Sequence, residues 1–120
     1  MKLLVVDDSK AMRMIVKRTL RQAGWENCEV DEAENGVEAL AKIKVGGYDL
    51  VLSDWNMPEL NGIELLEAMK AEGIAAPFGF VTTEGTPEMR DRARKAGALF
   101  LIAKPFTAET FQHELRVVMA

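Results

Sequence analysis

A single cysteine, Cys28, is the only thiol in these 120 residues, so no disulfide can form within the chain. No positively charged, apolar, small-residue leader opens it, and the expected home is the reducing cytoplasm. No apolar run approaches the length that spans a bilayer. The net charge of -4 lacks the basic excess that wholesale nucleic-acid binding demands, so neither membrane nor nucleic acid is an expected partner. Internal repeats, linkers and low-complexity stretches are missing too, and one domain over residues 1–120 is expected. The lone histidine, His113, lies among polar neighbours and reads as a surface residue rather than a ligand or phosphocarrier.

What is present is a fivefold alternation of strand and helix signals. Lys2 to Val6 is a Val- and Leu-rich run, followed by helical periodicity at Met12, Ile15, Val16 and Leu20 that stops at Gly24. Cys28 to Ala33 reads as a polar edge strand, and Asn35, with Glu38 three residues on, opens a helix closed by Gly46-Gly47. Leu50 to Ser53 and Phe78 to Val81 are short buried strands separated by a helix from about Ile63 to Glu72. Thr86-Pro87 starts the next helix, which Gly97 ends. Leu99 to Ala103 is the last strand, and Thr107 caps a final helix with Phe111, Leu115 and Val118 facing inward. Strict alternation of this kind implies an α/β fold with parallel strands and helices on both faces.

Ligands of open parallel sheets sit beyond the carboxyl ends of the strands. Here those ends carry Asp7-Asp8, Asp54, Thr82 and Lys104, where ordinary loops would hold Gly, Asn or Ser. A helix cap accounts for one of the paired aspartates at most. At roughly 5 Å separation and an effective dielectric of about 20, each carboxylate pair repels by on the order of 3 kcal/mol. Something cationic must answer; Lys104 supplies one charge, and a divalent ion such as Mg²⁺, which prefers hard carboxylate oxygens, would supply two. The same two acids exclude a dinucleotide or flavin phosphate loop, which needs glycine- or hydroxyl-rich backbone after the first strand. With Mg²⁺ bound, a phosphoryl group becomes a favoured guest, and Asp54, alone at the end of the most apolar strand, is the best nucleophile.

These residues resemble the receiver domains of two-component response regulators over essentially the whole chain. The motifs are VVDDS from Val5, SDWNMP from Ser53 to Pro58, Asn61-Gly62, Val81-Thr82 and AKPF from Ala103 to Phe106, with the chemotaxis branch of the family the most similar. The resemblance implies a single doubly wound, flavodoxin-like sheet of five parallel strands in the order 2-1-3-4-5 flanked by five helices. It implies Asp54 as phosphoacceptor and Mg²⁺ held by Asp8, Asp54 and the Asn56 carbonyl, with Asp7 acting through a water. Lys104, before a cis bond to Pro105, would contact the phosphoryl group, and Thr82 would move toward it. Asn56 and Glu84 would tune its loss to water. The family usually carries an aromatic residue where this chain has Leu101, and a smaller residue where it has Thr83.

The expected function is a monomeric, single-domain switch, not an enzyme beyond its own phosphorylation and dephosphorylation. A histidine kinase or histidine phosphotransfer protein would donate; a flagellar switch or a relay partner would be the target. Alternatives are a phosphorelay intermediate, a receiver cut from a longer regulator, a receiver that serves only as a dock, and a Mg²⁺-dependent phosphohydrolase with an aspartyl nucleophile. Lys10, Arg13, Lys17, Arg18 and Arg21, with no acid between Ser9 and Trp25, form either a solvated face or an electrostatic dock for an acidic partner. The fourth helix, with only Met89, Ala93 and Ala96 as apolar anchors, should be the least firmly held. Trp55 beside Asp54 offers an optical reporter.

Overall fold

The computed structural model describes residues 1–119 of the chain. Five strands, β1 (Lys2–Val6), β2 (Glu29–Ala33), β3 (Leu50–Ser53), β4 (Phe78–Thr82) and β5 (Phe100–Ala103), form one sheet in the order β2-β1-β3-β4-β5. Every neighbouring pair is parallel, with Val6 opposite Ala33 on one side and Ser53 on the other. The crossovers are α1 (Lys10–Gln22), α2 (Gly36–Val45), α3 (Gly62–Ala71) and α4 (Pro87–Ala96). A fifth helix follows β5 and breaks at Leu115 into α5 (Ala108–Glu114) and a last turn, α6 (Arg116–Met119). The expected sheet order and flanking helices are what the chain adopts.

Successive strand residues point to opposite faces, and both faces are covered, so β1, β3, β4 and β5 are largely apolar rather than alternating. Leu3, Val5, Leu50, Leu52, Val81 and Ile102 pack under α1 and α5 against Val16, Leu20, Phe111 and Leu115. Leu4, Val6, Val51, Phe78, Phe80 and Leu101 pack on the other side against Ile43, Ile63, Leu66 and Met69. The polar strand β2 lies at the edge, as its sequence predicts. In α4 only Ala93 is buried, with Met89 and Ala96 partly so, which leaves that helix the smallest apolar anchorage.

Element ends differ by a residue or so from the periodicity. Cys28 and Leu99 fall outside β2 and β5, and Leu99 is 48% exposed. Of the apolar set on α1, Val16 and Leu20 are buried whereas Ile15 stays exposed. Asn35 caps α2 by accepting from the Glu38 amide, but the Glu38 carboxylate reaches the amide of Glu34 rather than that of the cap. The reciprocal capping box is instead at α3, between Asn61 and Glu64.

That box matters because it sets α3 against the end of β3. Gly62 donates its amide to the Trp55 carbonyl at 2.8 Å, and a Cβ there would collide with the Asp54 carbonyl oxygen and the Phe80 ring. Glycine is required by close approach of backbone to backbone. Gly62→Ala should therefore cost about 1–3 kcal/mol, as overpacked sites do, measured by urea denaturation; an unchanged midpoint would show that α3 can back away from the site freely.

Candidate functional site

Strand order reverses between β1 and β3: β1 leads by way of α1 to β2 on one side, while β3 leads on to β4 and β5 on the other. A crevice opens at such a reversal, beyond the carboxyl ends of the two central strands. Asp7 and Asp8 follow β1 there and Asp54 follows β3, and the Asp54 amide bonds the Val6 carbonyl at 2.9 Å. One carboxylate oxygen from each of Asp7, Asp8 and Asp54 lies within 4.8 Å of the others. Three hard, anionic oxygen donors at that spacing form an acidic pocket that could hold a divalent ion such as Mg²⁺.

The Lys104 ammonium, carried in from β5, lies 3.1 Å from Asp7 Oδ2 and 3.6 Å from Asp54 Oδ2. All three side chains are largely shielded from water, so these charges are screened far less than a surface pair would be. The Lys104-Pro105 peptide is cis, as expected. Asp7 is held further by the Ser9 amide, which donates to Oδ1 at 2.9 Å. Ser9, not an aspartate, caps α1, its hydroxyl accepting from the Met12 amide. Neither acid of the pair is used as a helix cap.

Thr82 ends β4 fully buried, and its hydroxyl accepts from the Glu84 amide at 3.4 Å. Asn56 is exposed on the loop two residues beyond Asp54, and Glu84 is exposed as well. Trp55 is buried, its ring 4.8 Å from that of Phe80, and its amide donates to Asp54 Oδ1 at 2.7 Å. It is thus packed in the core while bonded to the carboxylate. Leu101 is buried on the α4 side of β5, and its carbonyl accepts from the Arg90 guanidinium at 3.1 Å. Arg90 also donates to the Gly85 carbonyl at 3.2 Å, so one side chain of α4 spans the β4–α4 loop and the sheet edge.

The basic face of α1 is smaller than its composition implies. Arg13 and Lys17 turn toward β2, 2.9 and 3.1 Å from the Glu32 carboxylate. Lys10, Arg18 and Arg21 remain exposed. The spacing of Arg13 on its helix places it beside the strand ends, but only the position of β2 shows which acid it meets.

The response regulator receiver domain pattern matches residues 3–116, and the chain belongs to that family. Within it, the chain is similar over nearly its full length to chemotaxis proteins. CheY1 of Helicobacter pylori is 45% identical over 122 residues, covering 99% of this chain and 97% of its own. CheY-3 of Vibrio cholerae is 42% identical over 117 residues, covering 96% and 88%. Among solved structures, Vibrio cholerae CheY4 matches with a TM-score of 0.84 at 38% identity, over 98% of this chain and 97% of that one. The signal receiver domain of NarL from Mycobacterium tuberculosis matches with a TM-score of 0.87 at 25% identity, over 99% and 96%. Among the described residues no helix is long and apolar enough to cross a membrane.

The Asp54 carboxyl is largely shielded from water. Burial is the main cause that pushes its carboxyl above the usual aspartate range; Lys104 pulls it back, the Asp7 carboxylate adds to the rise, and the Trp55 amide and Thr82 hydroxyl oppose it. Protonated Asp54 is the form that folding favours, so its contribution to stability is full below the ordinary carboxyl range and is lost as pH rises through the raised value. In EDTA, Asp54→Asn should melt above wild type at about pH 7, and the gap should close toward about pH 3. A gap of opposite sign, or one that does not change between those pH values, would contradict the raised value.

Proposed function

We propose that the chain is a phosphorylation-driven switch in which Asp54 accepts a phosphoryl group from a phosphohistidine of a histidine kinase or histidine phosphotransfer protein. The observation that carries this reading is the convergence of Asp54 with Asp7, Asp8 and the Lys104 ammonium at the β1–β3 crevice. An Asp54 carboxylate oxygen attacks phosphorus, the phosphorus–nitrogen bond breaks, and the electron pair returns to the imidazole, which takes up a proton from water. The product is an acyl phosphate on Asp54. Asp8, Asp54 and the Asn56 carbonyl would hold Mg²⁺, with Asp7 acting through a water; when bound, the ion neutralises charge spread over the phosphoryl oxygens.

The chain's own groups do the rest. Lys104, already aimed between Asp7 and Asp54, donates to the phosphoryl oxygens without reorganising, which is the economical form of electrostatic stabilisation. Thr82 turns its hydroxyl to a phosphoryl oxygen, gives up the Glu84 amide, and so draws on the β4–α4 loop that Arg90 ties to β5. Asn56 and Glu84, both exposed at the rim, set how readily water reaches the acyl phosphate. Beside Lys104, a groove of about 340 Å³ lined by Met12, Ile15, Thr83, Pro105 and Phe106 gives the donor an apolar seat. The loosely anchored α4 is the element a change at the loop would shift, and the target that reads it is a protein. The likeness to CheY1 and CheY-3, named as chemotaxis proteins, favours a flagellar motor switch over a relay partner.

A haloacid dehalogenase-type hydrolase would carry its nucleophile after the first strand, whereas Asp54 follows β3. Acetyl phosphate with Mg²⁺ should add the mass of one phosphoryl group to the peptide containing Asp54, and Asp54→Asn or EDTA should abolish the gain. No gain, a gain on another residue, or steady turnover of a small phosphate ester would overturn the reading.

A further inference from the structure

The peptide that joins Asp7 to Asp8 is one rigid plane, so whatever holds the Asp7 carbonyl also fixes the Cα of Asp8. That carbonyl accepts from Arg13 Nη1 at 2.7 Å, while Arg13 Nε donates to Glu32 Oε1 at 2.9 Å. The Arg13 side chain is only 12% exposed, and Glu32 is itself braced by Lys17 at 3.1 Å. Two edges of one planar fork are thus engaged, one by the end of β1 and one by the edge strand β2. This is a geometry an ammonium does not reproduce. The other atoms of Asp7 are already tied, its amide to the Ala33 carbonyl at 3.1 Å and its carboxylate to Ser9 and Lys104. Asp8, by contrast, is exposed, and that peptide plane sets where its Cα sits relative to Asp7.

We propose that Arg13 is a positioning residue for divalent-cation binding: it clamps the Asp7–Asp8 peptide so that the Asp8 carboxylate stays in register with Asp7 and Asp54. This rests on reading those three acids as a Mg²⁺ seat. Charge and position make opposite predictions here, which makes the role measurable. As a bare cation near the pocket, Arg13 repels Mg²⁺, and its neutralisation would tighten binding. As a clamp, its loss loosens binding, by the 10- to 100-fold typical of groups that orient metal ligands from behind.

Mg²⁺ titration of the full chain, followed by tryptophan fluorescence and by the rise in melting temperature, separates the two. Arg13→Gln should raise the Mg²⁺ Kd about 10-fold, and Arg13→Lys, which keeps the charge, should raise it as well. Glu32→Ala, which frees the far edge of the fork and also removes an anion, should raise the Kd on both counts, so Arg13→Lys, whose charge is unchanged, decides the question if Arg13→Gln does not fold. An unchanged or lower Kd in Arg13→Gln, or in Arg13→Lys where that variant decides, would overturn the inference alone. Wild type that binds no Mg²⁺ would remove the seat and the inference together.

Discussion

Three carboxylates gathered at one end of a parallel sheet repel one another, and the structure is organised around the single ammonium that answers them. Lys104 comes from β5, at the opposite edge of the sheet from β2, and reaches back past β4 to sit between Asp7 and Asp54. One positive charge does not balance three negative ones. Asp54 also carries the cost of burial, which holds its carboxyl above the ordinary range despite Lys104, with the Asp7 carboxylate adding to the rise. A pocket left short of positive charge in this way could hold a divalent cation.

The fold supplies rigidity on one side of that pocket and looseness on the other. Its two central strands are covered on both faces, so the Asp7 and Asp54 backbones have little freedom to relax away from each other. Gly62 brings α3 into contact with the Asp54 carbonyl, and Arg13 locks the turn after β1 to β2. Toward β5 the attachments are fewer. α4 buries one alanine, and Arg90 ties it by hydrogen bonds to the Gly85 carbonyl of the preceding loop and the Leu101 carbonyl of β5. A rigid pocket beside a weakly held helix is the arrangement on which the proposed switch would rely.

Much of the site was legible in the sequence because parallel α/β topology sends every strand's carboxyl end to the same rim. Asp7, Asp8, Asp54, Thr82 and Lys104 could be placed together by noting which strand each one terminates. Helix starts at Asn35, Thr86 and Thr107 follow from side-chain capping, which is local chemistry, whereas at α1 the cap is Ser9 rather than one of the paired aspartates. Less local features were harder. The Asn61–Glu64 box lies inside a motif whose glycine draws attention first, and Leu99 and Cys28 carry apolar side chains without belonging to the strands beside them. The basic run on α1 gave no sign that Arg13 and Lys17 are spent on Glu32.

Alternation of apolar runs with capped amphipathic segments determined the class of fold, and the polar residues closing those runs determined where chemistry would collect. Both follow from period and position along the chain, which a sequence displays directly. Tertiary structure alone decided which charges are shared: that Lys104 serves two aspartates, that Arg13 faces inward to the Asp7 carbonyl, and that Trp55 is packed against Phe80 while bonded to Asp54. The Lys104–Asp7 and Trp55–Phe80 contacts join residues tens of positions apart, set by how neighbouring strands align, and even the six-residue reach from Arg13 to Asp7 depends on how α1 packs, so no local pattern encodes them.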